Sequence, residues 1–481
     1  MSTIDAPARR EVLQSLTGLL LALFVSTLSS TVVATALPRM MGDLYGSPTQ
    51  YTWVVTATLL ASTVTTPLWG KLADLYAKKT LVQTATVVFL AGSVAAGLAQ
   101  DAGQLIAARA LQGVGVGGVQ ALVQIAIGAM IPPRERGKYA GYLSSVTALS
   151  TIGGPLLGGF LVDTSWLGWR WCFFIGIPFG LAALALLQLT LRLPLVRKEN
   201  VRIDYWGATL LTAGVSVLLI WVSFVGDAFA WGSWQTAAMV GASVVLLVLA
   251  AWVETRVAEP IVPPGIVTRR TTALAILGSL AAGTAMFGAA VFLSQYFQVS
   301  RGHTPTEAGA LTIPMMAGIL ISSIVAGRLL SRTGRIKPFL VIGATSLATG
   351  FACLGLLDEH TPLVFIAAPM LLVGIGVGMT LQNFVLVVQN AVPLADIGAA
   401  SATVSFSRSL GGTIGVTVLG AVLARQVAHH TAAGMTVAAA YGEATATVFA
   451  ISAGVALLGV LAAILLKPVA LRTSLDVSKG D

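Results

Sequence analysis

Fourteen runs of about 17 to 25 mostly apolar residues succeed one another along this chain, parted by charges or by Gly/Pro clusters. Each is long enough to cross about 30 Å of hydrocarbon as a helix. They cover residues 14–37, 51–70, 81–99, 104–130, 139–161, 172–191, 206–226, 235–253, 272–298, 308–330, 338–357, 362–384, 399–423 and 446–466. Composition agrees, with 56% hydrophobic residues, 10% charged residues and a mean hydropathy of +0.87. A soluble protein carries roughly 25% charged residues, so a water-soluble enzyme and a disordered or nucleic-acid-binding chain are both excluded. The apolar run that starts at Val12 continues past Leu37 without a small-residue cleavage site, which reads as a retained first span rather than a signal peptide. Cys172 and Cys353 lie far apart inside apolar segments, where a buried thiol acts as a small hydrophobe.

The net charge of +9 is explained by topology. With the N-terminus inside, 22 of the 28 Lys and Arg residues fall in cytoplasmic segments, 4 in outer loops, and 2, Arg109 and Arg408, within spans. Both termini are therefore expected on the cytoplasmic side. Trp166, Trp169, Trp171, Trp231 and Trp234 fall at outer span ends, where aromatic residues anchor helices at the interface.

Three short similarities recur at nearly one offset. Gly70 to Lys79 answers Gly327 to Lys337 at 257 residues, Gly113 to Gly117 answers Gly374 to Gly378 at 261, and Gly153 to Gly158 answers Gly411 to Gly415 at about 258. Two six-span halves related in parallel follow, with two spans inserted between them. Such halves place a substrate site near the midplane. The expected organisation is a cytoplasmic N-terminus at 1–13, an N-terminal six-helix bundle at 14–200, and two inserted helices at 201–260. A C-terminal six-helix bundle at 261–466 and a cytoplasmic tail at 467–481 complete it.

Several motifs carry chemistry. The short loop Gly70-Lys-Leu-Ala-Asp-Leu-Tyr-Ala-Lys-Lys79 resembles the loop signature of the major facilitator superfamily, keeping Gly70, Leu72, Asp74, Lys78 and Lys79 but placing Leu75 at a basic position and Ala77 at a glycine. The second-half loop, with Arg332, Gly334 and Arg335, restores both features. Asp74 can pair with local cations or sit at a helix N-terminus, where its charge is favoured. The cluster reads as a cytoplasmic latch that breaks when the halves rock; ordinary positive-inside charge is the plain alternative. In span 4, Arg109-Ala-Leu-Gln112-Gly-Val-Gly115 resembles the same superfamily's Arg-x-x-Gln-Gly-x-Gly. A guanidinium there is costly, about 2.5 to 3.5 kcal/mol, and faces a wet cavity or a partner, or else snorkels outward.

Span 5 carries Gly154-Pro155-Leu-Leu-Gly158-Gly159, similar to the antiporter signature, with Ser150 in place of its first glycine. The proline frees a carbonyl and the glycines permit close packing. Leu28 to Pro38, Trp169 to Pro178 and Ser407 to Gly412 resemble signatures of the fourteen-span drug:proton antiporters of that superfamily, and the match runs along essentially the whole chain. The resemblance implies an all-α major facilitator fold of 14 helices and export of a small amphipathic drug or antibiotic, conferring resistance. Resistance pumps of antibiotic-producing actinomycetes are similar, with a lincosamide such as lincomycin as one candidate substrate. A proton gradient would drive the protein without any cofactor or metal, and a monomer in the cell membrane, in contact with lipid and with no nucleic-acid partner, is expected.

Where that family often has a mid-membrane aspartate, this chain has Ser29, and none of its 19 acids falls near the centre of a span. Asp43 and Asp163 are the acids expected to approach Arg109 and the cavity mouth, with Arg408 as a second buried cation. Tyr51, Trp53, Gln120, Gln124, Gln295, Tyr296, Gln382, Asn383 and Gln389 are candidate substrate contacts. A nutrient or metabolite transporter of the same fold is the alternative. A membrane-embedded enzyme would need clustered acids or histidines, yet His303, His360, His429 and His430 are all assigned to outer loops.

Overall fold

A computed structural model describes residues 9–164, 167–191, 204–226, 228–257, 260–262, 264–393, 396–468 and 471. Backbone polar groups in hydrocarbon must be satisfied within their own segment, and the regular secondary structure of the described residues is accordingly helical, apart from one isolated bridge, Val225 to Phe229. The helices are α1 (Arg9–Asp43), α2 (Pro48–Leu75), α3 (Lys78–Gly97), α4 (Ala102–Met130), α5 (Pro133–Asp163), α6 (Trp171–Phe174) and α7 (Gly176–Thr190). Then follow α8 (Tyr205–Phe224), α9 (Trp234–Glu254), α10 (Pro264–Val267), α11 (Arg270–Gln295), α12 (Pro305–Leu311) and α13 (Ile313–Thr333). The last are α14 (Lys337–Leu354), α15 (Leu363–Ala391), α16 (Ile397–Ala432) and α17 (Val437–Leu465). Their ends follow local chemistry: Ser47 and Gln50 form a capping box for α2, Asp101 caps α4, and Gly334 closes α13 in the left-handed conformation at φ 67°.

Twelve helical segments, not fourteen, are long and apolar enough to cross a membrane among the described residues. The two other long helices are α2, with 28 residues, and α5, with 31. Thr56, Thr58, Thr63, Thr65 and Thr66 dilute the apolarity of α2, and several α5 side chains lie outside the described residues. The outward faces are apolar in a way water would not tolerate: Val244, Val245, Val248 and Leu249 of α9 and Leu457, Leu458, Leu461 and Ile464 of α17 are all exposed.

The helices sort into two groups built alike. In the first, α4 packs on α2 and α3, and α1 on α5 and α7; in the second, α15 packs on α13 and α14, and α11 on α16 and α17. Matching glycines make matching close approaches. A methyl on Gly113 would lie 2.5 Å from the Thr58 carbonyl of α2, and one on Gly374 would strike the Met315 carbonyl of α13. The groups meet where α5 crosses α13 and α2 crosses α16, and α8, paired with α9, leans on α2 and α16.

Three expectations are corrected. Trp171, Trp231 and Trp234 are exposed as anchors would be, but Trp169 is buried, with its indole N–H donated to Asp43 Oδ2 at 3.0 Å. Trp166 lies outside the described residues. Cys172 is buried while Cys353 is exposed on the apolar surface. His429 and His430 occupy the last turn of α16 rather than a loop, where a helix C-terminus favours positive charge.

Candidate functional site

The helix ends that carry the loop cations form one basic end of the molecule, and every described hydrogen bond between the two groups lies there. Gly70, near the end of α2, presses against α16, where a methyl would come 2.9 Å from the Gly398 carbonyl. One turn on, Asp74 is buried, and its carboxylate receives the first N–H groups of α16: Gly398 N–H to Oδ1 and Ala399 N–H to Oδ2, both at 2.8 Å. These donors have no partner inside their own helix, and the helix dipole favours a negative charge among them. Of the two roles open to Asp74, the structure shows the helix N-terminus, and it belongs to the other half. Asp74 lies beyond the apolar stretch 51–70. Burial pushes its carboxyl up to about 7, while the two N–H donors and the charge of Lys78 pull it down.

The remaining contacts tighten this closure. Arg134 of α5 donates to the Ser331 and Arg332 carbonyls at 3.2 and 2.9 Å, across the α13 terminus. Arg136 reaches Gln389 Oε1 at 3.1 Å; Gln389 in turn donates to Ser401 at 2.9 Å and to the Gln124 carbonyl, and Ser405 donates to Gln124 Oε1 at 3.2 Å. Lys78 is buried beside Asp74, whereas Lys79 donates to the Gln188 carbonyl of its own half at 2.7 Å. Arg332 and Arg335 are exposed, and Gly334 makes the turn between α13 and α14. Sequence reasoning missed Arg134 and Arg136, which looked like ordinary loop cations. Gln124 and Gln389, two of the candidate substrate contacts, bridge the halves.

Inside the first group, Arg109 is buried at 3% exposure. Its guanidinium donates to Gln112 Oε1 and to the Val54 carbonyl of α2, and Gln112 donates onward to Ser29 of α1 at 3.1 Å and Ser93 of α3 at 2.8 Å. Four helices are thus joined around one cation with no carboxylate in contact among the described residues. Asp43, expected near this cluster, is exposed instead, pairing with Arg39 at 3.6 Å and accepting from Trp169. The Asp163 side chain lies outside the described residues, as does that of Pro155. Arg408 of α16 is partly exposed, with no hydrogen bond or ion pair among the described residues, and Gly283 of α11 packs on its backbone.

The antiporter-like motif joins α5 to α1. Gly154 packs against Thr31, whose hydroxyl donates to the Ser150 carbonyl at 2.9 Å, and Ser150 donates to the Phe24 carbonyl at 3.2 Å. Gly158 is buried and Gly159 faces open space. The second half repeats the device, with Thr284 of α11 donating to the Gly411 carbonyl of α16 at 2.8 Å. Tyr296 is fully buried and donates to the Asp358 carbonyl at 2.7 Å, a structural role rather than a cavity contact. Trp53 stacks on Phe224 of α8 at 5.0 Å. No group of three or more His, Cys, Asp or Glu residues placed to hold a metal occurs among the described residues.

Comparison with known proteins agrees with this architecture. The profile of the Major Facilitator Superfamily matches residues 19–416, and the chain belongs to that superfamily. An uncharacterized MFS-type transporter of Mycobacterium tuberculosis is 35% identical over 87% of this chain and 60% of its own length. The chain thus spans about 60% of that mycobacterial relative. The multidrug transporter protein MdtP of Bacillus subtilis is 34% identical over 88% of this chain and 77% of its own. Among solved structures, the human organic anion transporter MFSD10 superposes with a TM-score of 0.67 at 14% identity, covering 95% of this chain and 100% of that one. The proton:xylose symporter XylE gives 0.65 at 16% identity, covering 95% and 96%. Both show a shared fold.

Proposed function

We propose that this chain is a fourteen-helix, alternating-access exporter of the cytoplasmic membrane, counting α2 and α5 as spans and placing both termini inside. It expels a small amphipathic drug or antibiotic in exchange for protons, conferring resistance, as a monomer and without a cofactor. The observation that carries this reading is the bond of Asp74 to the first N–H groups of α16. The hydrogen bonds of this closure, set beside an apolar cluster that runs through both halves, can be broken and remade at small net cost, because water satisfies the same groups when it opens. The basic end, cytoplasmic by its cations, is the closed one. Arg109 and Gln112, together with Arg408, are the polar groups through which protons or substrate act. Asp163 remains the candidate acid at the outer mouth; Asp43, held by Arg39 and Trp169, is the weaker one. The multidrug transporter MdtP and multidrug resistance protein 3 of Bacillus subtilis, the latter 32% identical over 84% of this chain, support a drug as cargo.

The test is expression in a pump-deficient host against a panel of amphipathic antibiotics that includes a lincosamide, paired with inverted vesicles in which drug uptake and proton movement are followed together. Raised resistance, and uptake that stops when the proton gradient is collapsed, are expected. A host made more sensitive to toxic compounds would point to import, and uptake indifferent to the gradient would remove the proton coupling.

A further inference from the structure

Two acids that play no part in the closure face each other at the basic ends of the inserted helices. Asp204 caps α8 and Glu254 ends α9, at 8% and 6% exposure. Each uses one oxygen on the backbone: Asp204 Oδ1 accepts from Gly207 N–H at 2.9 Å, and Glu254 Oε2 accepts from Val262 N–H at 3.2 Å. The other oxygen of each, Asp204 Oδ2 and Glu254 Oε1, is buried with no hydrogen-bond partner among the described residues. Both orphaned atoms lie beside Gly207, where an added methyl would touch Asp204 Oδ2 and come 3.2 Å from Glu254 Oε1. The charges acting on Glu254 are that of Asp204 across the helix pair and that of Lys71 from α2. Arg256, two residues on, stacks its guanidinium over Trp252 at 4.5 Å.

Two carboxylates buried this close cannot both be ionised at modest cost, and one proton between them turns two orphaned acceptors into a donor and an acceptor. We propose that Asp204 and Glu254 form a proton-binding site, one proton shared by the two carboxyl groups, that ties the inserted helices to the latch through Lys71. Lys71 is itself buried, next to Gly70 and three residues before Asp74. With the proton in place the pair carries one negative charge against the Lys71 ammonium; without it, two. The proton comes from, and returns to, water at the basic end, so movement of α2 and the charge state of the pair bias each other. The consequence for transport rests on the exporter reading above; the shared proton does not.

The experiment is infrared difference spectroscopy of the full chain in lipid bilayers, stepped from neutral to alkaline pH, reading the carbonyl stretch of protonated carboxyl groups. Asp74, itself raised toward neutrality, contributes a band that Asp74→Asn removes, and wild type is expected to show a second buried carboxyl that deprotonates. This second band disappears in Asp204→Asn and in Glu254→Gln and persists in Asp74→Asn. Should one amide variant fail to fold, the other decides, since either removes the shared proton; should both fail, the second wild-type band and its response to salt decide. Absence of the second band in wild type, or its survival in both variants, overturns the proposal. So does its loss on adding sodium, potassium or magnesium chloride at constant pH, which would make the pair a cation site. A protein that keeps the band but transports nothing counts against the exporter reading alone, and an active pump without the band counts against the pair alone.

Discussion

At the scale of single residues, the protein spends its few buried charges on joining elements. Asp74 holds two N–H donors that α16 cannot satisfy itself, and hydrogen bonds to a charged group are worth about 1.5 to 3 kcal/mol. Asp74→Asn keeps the shape and removes the charge, so the closed basic end should lose population roughly tenfold relative to the open one. Distances between spin labels on exposed residues of α5 and α13 report this as a longer component, and an unchanged distribution would mean that Asp74 does not hold the closure. Gln112 bridges Arg109 to Ser29 and Ser93. Gln112→Leu strips a buried guanidinium of its side-chain acceptor and should cost about 3 kcal/mol, seen as a lower midpoint of thermal unfolding in detergent. A midpoint equal to wild type would show that water replaces Gln112 freely. The partner of Asp74 was not legible in the sequence, because it is a pair of backbone N–H groups 324 and 325 residues away. The loop motif showed that an acid was placed there, and only the packing of α2 on α16 shows what it meets.

At the scale of elements, the apolar runs were readable because lipid imposes both length and composition. The exception is instructive. α2 packs on α4, α8 and α16 and spends much of its surface on protein, so threonines replace the leucines that a lipid-facing helix needs. The repeat was readable for a related reason: Gly113 and Gly374 sit where two backbones nearly touch, and no larger residue fits either place. Asp43 misled because a position just past a span end does not say whether a side chain turns inward or out to water. Trp206 and Trp252, near one end of the α8 and α9 pair, and Trp234, near the other, are exposed at 76%, 53% and 76%. In bilayers of brominated lipid, single-tryptophan variants retaining each should be quenched by bromine near the headgroups and little by bromine at the chain ends. Stronger quenching from the bilayer centre would displace α8 and α9 from the spanning position assigned to them.

At the scale of the whole molecule, two bundles built alike meet through hydrogen bonds and a shared apolar cluster at one end, and the central claim is that this end must open for cargo to enter. Gly137 of α5 and Gly327 of α13 touch there, and the neighbouring Lys138 and Arg328 are both exposed. Cysteines at these two positions, in a chain with Cys172 and Cys353 replaced, allow the end to be locked by a disulfide and released by a reductant. Drug transport into inverted vesicles by the oxidised protein should fall to background and return on reduction. Undiminished transport with the bond demonstrably formed would contradict the account.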